Sequence, residues 1–262
     1  MNVNTPTERW GCHTLMREEF TMLLDRYQAR VDELFAQVRE TQRENIIKAG
    51  NMIADAVEKG GNIYLSGICH SIENDLIYRG GGPIFYKHFS YNLKVESGQR
   101  KRDGKPDLSG ENERFALKMA DMRPGDILIL GSVSGRSLNI VHLAYEAVKM
   151  GINVIAFTSM EYATQVDAVH PSGKKLHEIA TIAMDNCAPA AEAMLDVEGI
   201  EAKFGAASGI ASDYILWSMT SVAVEKLLEK GITPGILKSA NFPGGSEYNT
   251  SVVHTNYDKY GW

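Results

Sequence analysis

The stretch DILILGSVSGRSLN, residues 126–139, decides the fold, because it joins a buried-strand pattern to a loop and the start of a helix. Its first half is apolar on both faces, which is typical of a strand inside a parallel sheet. Its second half is rich in serine, and a helical pattern follows over residues 138–150, with Gly151 at its end as a C-cap residue. The stretch therefore predicts a strand, a short loop and a helix.

Three further apolar runs bounded by turn residues predict strands at residues 62–66, 153–158 and 179–184. Strands separated by helices indicate a three-layer α/β fold, in which helices cover both faces of a doubly wound parallel sheet. A last helix is predicted over residues 208–230, and the polar, glycine-bearing residues 90–112 are interpreted as an insertion or surface loop.

The N-terminal part of the chain has a different pattern. Residues 15–59 carry an apolar stripe with helical spacing, interrupted by a polar turn at residues 39–45, and this predicts two helices or one bent helix. We expect residues 1–60 to form a helical arm that packs on the domain or on a partner subunit. Residues 61–262 are expected to form the α/β domain.

Composition excludes several classes of protein. The 262 residues carry a net charge of −6 without a dominant basic face, which disfavours nucleic acid as a partner. The three cysteines form no CxxC pair, and neither an apolar signal core at the N-terminus nor a stretch of about 18 apolar residues is present. We therefore expect a cytoplasmic protein that does not enter the membrane.

Residues 132–137, called the serine loop below, carry the strongest functional signal. The hydroxyls of Ser132, Ser134 and Ser137 converge on a helix start, where unpaired N–H groups and the helix dipole favour an anion. Gly135 allows close approach of the backbone, and Arg136 adds positive charge. The alternative is that the serines only cap the helix and form a turn. We expect a phosphate site, and the lack of a GxxxxGK[ST] or GxGxxG motif disfavours ATP and dinucleotide cofactors.

Several stretches in this order resemble bacterial SIS (sugar isomerase) domain proteins of the phosphosugar or phosphoheptose isomerase type. They are RETQRENI (39–46), GICHS (67–71), LIYRGGG (76–82), MRPGDILILGSVSGR (122–136), HPSGKKLHEIA (170–180), DNCAPA (185–190), EGIEAKFG (198–205) and SANFPGGSEYN (239–249). The resemblance implies a flavodoxin-like SIS fold that binds a phosphosugar. It also implies a homo-oligomer, a dimer or tetramer, with sites near the subunit interfaces.

By this resemblance Ser132, Ser134 and Ser137 would hold the phosphate, and Ser71 would contribute from the loop after the first strand. Aldose–ketose isomerisation needs a base that moves a proton between adjacent carbons. Phosphoheptose isomerases have a glutamate on the helix after the first loop, and alignment on LIYRGGG places Asp75 there, with Glu73 half a turn away.

His70 is the next catalytic candidate, as a general acid/base or a ring-opening group, although a histidine beside a strand end is also often a packed, structural one. Its neighbour Cys69 is interpreted as a small residue in a tight loop rather than a nucleophile, because adjacent residues rarely present their side chains to each other. Weaker candidates for binding the sugar are His170, Asn186 and Glu247.

The predicted last helix contains no histidine, although phosphoheptose isomerases have a catalytic histidine there and often use zinc. The seven histidines show no metal-ligand spacing, and His142 is expected on a helix surface. We therefore predict no metal and no cofactor. The leading hypothesis is an aldose–ketose sugar-phosphate isomerase. The alternatives are a phosphosugar lyase or etherase and a non-catalytic phosphosugar sensor.

Overall fold

A five-stranded parallel sheet forms the centre of the protein in this computed structural model, which describes residues 22–70, 75–93 and 110–262. The strands are β1 (Ile63–Leu65), β2 (Tyr86–His88), β3 (Ile127–Gly131), β4 (Asn153–Thr158) and β5 (Ile182–Asp185). Their order is β2-β1-β3-β4-β5, and every neighbouring pair is parallel. The predicted doubly wound sheet is confirmed, and the order is that of flavodoxin-like folds.

Four of the five strands lie at the predicted places, and the prediction missed one. β2 is a three-residue strand that pairs only with β1, and its sequence YKH is too short and too polar to give a strand pattern. β5 begins three residues later than predicted. The reason is that a 3₁₀ turn at Leu176–Glu178 takes the N–H groups of Ile179 and Ala180 for its own hydrogen bonds.

The main helices are α1 (Leu23–Thr41), α2 (Arg43–Glu58), α3 (Glu111–Met119), α4 (Leu138–Lys149), α5 (Met160–Thr164) and α6 (Ser208–Glu229). Gln42 separates α1 from α2, so the prediction of two helices is confirmed within the described residues. The helices predicted over residues 138–150 and 208–230 are also confirmed. No helix in the described ranges is both long and apolar enough to cross a membrane.

The sheet is buried on both faces, as the apolar strands require. Ile127 and Ile129 of β3 pack with α2 and α6, whereas Leu128 and Leu130 pack with α3 and α4. Each such fully buried side chain stabilises the fold by about 1.5–3 kcal/mol. Helices α2 and α6 approach closely at Gly50, where a Cβ atom would lie 2.5 Å from Cβ of Val222. The three-layer arrangement is confirmed.

Smaller elements complete the chain. An antiparallel hairpin, β6 (Ala193–Leu195) and β7 (Phe204–Ala206), precedes α6. After α6 come α7 (Gly245–Tyr248), a π-helical turn (Asn249–His254) and α8 (Thr255–Tyr260). The C-terminal segment is held to the β1–β2 connection, where the N–H of Gly81 donates to the carbonyl of Leu237 at 2.7 Å.

The sheet order reverses its direction between β1 and β3. From β1 the chain passes to β2 on one side, and from β3 it passes to β4 and β5 on the other. The loops at the carboxyl ends of β1 and β3 therefore diverge and leave a crevice, the usual ligand site of open parallel sheets.

Candidate functional site

The serine loop lies at the carboxyl end of β3, on one side of this crevice. Ser132 is buried and its hydroxyl donates to Oγ of Ser137 at 2.9 Å, so these two hydroxyls converge as predicted. Ser137 is exposed and occupies the N-cap position of α4, yet its side chain makes no capping hydrogen bond. The interpretation that the serines only cap the helix therefore does not account for Ser137.

Gly135 fixes the path of the serine loop. Its φ is 67°, a left-handed conformation that strains other residues, and a Cβ atom would lie 3.1 Å from Oγ1 of Thr158. Its N–H donates to the carbonyl of Ser132 at 2.9 Å, and its own carbonyl accepts from the N–H of Leu176 at 2.8 Å. The serine loop therefore packs against the end of β4 at Thr158 and is hydrogen-bonded to the 3₁₀ turn at Leu176.

His177 lies behind the serine loop and was not considered as a site residue at the sequence level. Its Nδ1 is buried without a hydrogen-bond partner among the described residues, and it lies 3.7 Å from the position of a Cβ atom on Gly135. Burial lowers the pKa of this imidazole, so the ring is held neutral beside the loop.

The loop after β1 forms the opposite wall of the crevice. The N–H of Gly131, the last residue of β3, donates to the carbonyl of Gly67 at 2.8 Å. Cys69 packs so closely here that a Cβ atom on Gly131 would lie 2.9 Å from its Sγ. Burial raises the pKa of the Cys69 thiol to about 12, which disfavours a thiolate nucleophile and agrees with the interpretation of Cys69 as a small residue in a tight loop.

A cavity of about 380 Å³ lies beside the serine loop, between the ends of β1 and β2 and the first turns of α3 and α4. Its polar lining includes Ser66, Asn92, Asn112 and Asn139. On the same wall, the hydroxyl of Tyr91 donates to Oε1 of the buried Glu113 at 2.9 Å. Burial, and then Glu113, raise the pKa of Tyr91, so the phenol stays protonated. This cavity was not predicted, because residues 90–112 were interpreted as an insertion or surface loop.

Of the predicted catalytic residues, His70 lies at the end of the β1 loop with 75% of its side chain exposed. Glu73 falls outside the described residues, as does Ser71, which was predicted to contribute to the phosphate site. Asp75 accepts hydrogen bonds from Nε1 of Trp217, at 2.7 Å, and from Arg79. It was expected on a helix, but the described residues 75–85 contain no α-helix, and its carboxylate is engaged by its own chain.

Two of the predicted sugar-binding residues use their polar atoms within the protein. His170 is buried; its Nε2 lies 2.9 Å from Nδ1 of His142, and its Nδ1 lies 2.7 Å from Oγ of Ser172. Asn186 is fully buried and donates to Oγ of Ser212 at 3.4 Å. The expectation that His142 is a surface residue was wrong, because it packs against His170 and is 7% exposed.

Glu247 is exposed on the short helix α7 in the C-terminal segment. Among the described residues, neither Glu247 nor the buried His170 and Asn186 forms a hydrogen bond with the serine loop. The structure therefore brings together the serine loop and the β1 loop, where Nδ2 of Asn186 donates to Sγ of Cys69 at 3.7 Å. His170 and Glu247 lie on other elements.

Glu192 is a polar residue of the crevice that the sequence analysis missed. Its Oε1 lies 2.8 Å from Nδ1 of His70 and accepts from the hydroxyl of Ser208 at 2.8 Å. Glu192 and the preceding Ala191 both have positive φ, 80° and 62°. The available signal was a lone acidic residue among small apolar ones in the segment CAPAAEAML, shortly after a predicted strand.

A flavodoxin-like sheet with a serine-rich loop at its switch point defines a doubly wound α/β protein with a crevice for a small ligand. A profile described as the SIS domain matches residues 26–159. The chain therefore belongs to the SIS-domain family, as the resemblance implied.

The most similar relatives include proteins named UPF0309. A UPF0309 protein of Streptomyces griseus subsp. griseus is 33% identical over 235 residues, which cover 86% of this chain and 92% of the relative. A UPF0309 protein of Shouchella clausii is 29% identical over 237 residues, which cover 88% of this chain and 95% of the relative.

Solved structures of similar fold include the Vibrio vulnificus NanR protein complexed with ManNAc-6P. Its TM-score is 0.50 at 16% identity, over 81% of this chain and 66% of that chain. The phosphoheptose isomerase GmhA from Neisseria gonorrhoeae has a TM-score of 0.48 at 10% identity, over 76% of this chain and 94% of that chain. At such identities the likeness concerns the fold alone.

Proposed function

We propose that this protein binds a sugar phosphate in the crevice between β1 and β3 and interconverts its aldose and ketose forms without a cofactor. The observation that carries the proposal is the convergence of the Ser132 and Ser137 hydroxyls at the start of α4, on the switch point of the sheet. Membership of the SIS-domain family supports a phosphosugar as the ligand.

The serine loop has the donors that a phosphate group requires. The first N–H groups of α4 lack partners within the helix and lie at the positive end of its dipole. Ser137 leaves them uncapped, and Ser134 and Arg136 are half-buried beside them. A dianion at this position receives hydrogen bonds from both main chain and hydroxyls, which is the usual composition of a phosphate site.

The cavity next to the loop fits the rest of the ligand. Asn139 lies two residues after Ser137 on α4, so the cavity starts where the phosphate site ends. Carboxamides both donate and accept hydrogen bonds, as sugar hydroxyls do. We therefore propose that the carbon chain of the sugar lies against Asn92, Asn112 and Asn139.

Isomerisation is the reaction that this proposal favours. It moves one proton between adjacent carbons and one between adjacent oxygens, so substrate and product have the same oxidation state and no redox cofactor is consumed. His70 is a candidate for the transfer between oxygens, because it is exposed at the crevice. Asp75 and Glu73 stay candidates for the base. The homo-oligomer implied by the resemblance stays a prediction.

The experiment is a thermal-shift screen with C4–C7 aldose and ketose phosphates, each beside its unphosphorylated sugar. We expect a phosphate-dependent rise in Tm that Ser134→Ala reduces. A matched control is Ser251→Ala, which removes an exposed hydroxyl that donates to the Glu247 carbonyl. Absence of any shift in the wild-type protein, or an equal shift in Ser134→Ala, contradicts the proposed site.

Product analysis by NMR then separates the three reactions. An isomer of unchanged mass supports the isomerase. Release of a fragment identifies a lyase or etherase, and binding without turnover of any sugar in the panel identifies a sensor.

A further inference from the structure

We infer that Glu192 is the base of the proposed isomerase and that His70 is its partner for proton transfer. The inference rests on the proposed function and names the residues that would perform its chemistry. The resemblance pointed to Asp75 or Glu73 as the base, and Glu192 was not among the candidates.

The Glu192–His70 pair belongs to the crevice. His70 follows Cys69, whose main-chain N lies 2.8 Å from the position of a Cβ atom on Gly131, directly before the serine loop. Consecutive Cα atoms are about 3.8 Å apart, so the backbone of His70 lies close to the end of β3. Nδ1 of His70 then meets Oε1 of Glu192 at 2.8 Å. The pair thus lies on the β1 side of the crevice that the serine loop borders.

The two oxygens of Glu192 are unequally used. Oε1 accepts from His70 and from the hydroxyl of Ser208, both at 2.8 Å. Oε2 accepts one long hydrogen bond, 3.3 Å from the N–H of Ser208. Oε2 therefore keeps one lone pair for a proton of the substrate, and the side chain is 21% exposed, which leaves it open to a ligand.

The backbone at this position supports a functional role beyond capping α6. A helix is capped at little cost by a Ser, Thr or Asp at its own N-cap. Here the carboxylate comes from a residue 16 positions before Ser208, and both Ala191 and Glu192 have positive φ. Such conformations are strained, persist only where the surrounding structure holds them, and cluster at functional sites.

The proton balance of the reaction fits this pair. Carboxylate Oε2 of Glu192 takes the proton from the carbon next to the carbonyl, which forms an enediolate. His70 gives one proton to the former carbonyl oxygen and accepts one from the neighbouring hydroxyl. The Glu192 carboxyl then returns its proton to the former carbonyl carbon, so that both residues end in their starting states.

Asp75 provides the contrast. Its carboxylate accepts a hydrogen bond from Nε1 of Trp217 on α6 at one oxygen and from the side chain of Arg79 at the other. Asp75 takes no part in the contacts between the β1 loop and Glu192.

The test measures deuterium incorporation from D₂O into carbon-bound positions of the substrate by NMR. The probes are glucose 6-phosphate, ribose 5-phosphate and sedoheptulose 7-phosphate, with each protein at equal concentration. We expect Glu192→Gln to slow the exchange by at least about 100-fold, the usual contribution of a general base. Glu192→Asp should recover part of that loss. The phosphate-dependent Tm shift should be kept in both variants, because the serine loop is intact.

The matched control is Glu161→Gln. Oε1 of Glu161 accepts from the N–H of Ala190 at 3.0 Å, so it is a second carboxylate bonded to the same loop. Glu161→Gln should exchange deuterium at the wild-type rate. If Glu192→Gln exchanges as fast as wild type, the inference is wrong while the isomerase stands. If Glu192→Gln loses the ligand-dependent Tm shift together with exchange, Glu192 is structural and the inference is also wrong. If the wild-type protein exchanges none of the probes, the proposed function itself fails and the inference falls with it.

Discussion

Within the serine loop, the side chains of Ser132 and Ser137 differ in burial and in the hydrogen bonds that they make. Ser132 is buried and gives its hydroxyl hydrogen to Ser137, whereas Ser137 stands exposed at the helix start. The buried serine therefore orients the exposed one. Cys69 in the β1 loop is a packing residue, because burial raises the pKa of its thiol and so disfavours the reactive thiolate.

Gly135 allows a test of the loop's rigidity. Gly135→Ala places a β-carbon on a residue with φ of 67°, and 3.1 Å from Oγ1 of Thr158. We expect a loss of about 1–3 kcal/mol in the free energy of unfolding, measured by urea denaturation. Gly173→Ala is the control, because Gly173 has φ of 71° but nothing within 4 Å of the added carbon. Equal losses in the two variants would mean that the contact between residue 135 and Thr158 adds nothing to the loss of stability.

At the scale of elements, a pair of buried histidines joins α4 to the segment before the 3₁₀ turn. The N–H of Ser172 donates to Nδ1 of His170 at 3.1 Å, so Nδ1 is an acceptor and Nε2 carries the hydrogen that faces His142. A second proton on His170 would remove this acceptor. Burial, and next the neighbouring His142, lower the pKa of His170, and the opposing effect of Glu146, itself bonded to Lys149, is smaller.

This pair predicts an acid-sensitive stability. A histidine with a lowered pKa in the folded state binds fewer protons there than in the unfolded chain. The neutral His170 side chain therefore contributes its full stabilisation above the unfolded-state pKa of about 6.5. This contribution is lost as the pH falls from that value towards the lower folded-state pKa. Urea denaturation at pH 7.5 and 5.5 should show this fall, and His170→Gln should reduce it. His177→Gln should also reduce the loss of stability at low pH, because burial lowers the pKa of His177 as well. An unchanged pH dependence in His170→Gln would contradict the prediction.

The elements also show what the sequence could and could not predict. β3 and β4 are apolar on both faces, and the serine loop follows β3 directly, so strand, loop and helix were predicted from a local pattern. β2 and α3 were missed because a three-residue strand and a nine-residue helix of low apolar content give no clear period. The contact between His70 and Glu192 spans 122 residues, and only the folded chain brings them together.

At the scale of the whole molecule, the position of the ligand can be tested without prior choice of a residue. The alternative to a ligand site in the crevice between β1 and β3 is a cavity of about 600 Å³ along the outer side of α6. This cavity is lined by residues such as Trp217, Val224 and Leu228. The second cavity is lined mainly by apolar side chains. A phosphorylated ligand is charged, so the polar crevice with an open helix start should bind it in preference.

Hydrogen exchange with mass spectrometry distinguishes the two. With the sugar phosphate that raises Tm most, we expect slower amide exchange in residues 66–70, 90–93, 112–113 and 132–140, which form or border the proposed site, and in residues 187–192, which carry Glu192. Bound ligand reduces local opening of the segments that it bridges, so protection should reach both the β1 loop and the loop before β6. Residues 217–229 of α6 and the C-terminal segment from residue 245 onward should exchange at unchanged rates. Protection confined to α6 would place the ligand in the apolar cavity and would remove the basis for assigning the serine loop to phosphate. Protection of the serine loop without residues 187–192 would leave the phosphate site in place and separate Glu192 from the ligand.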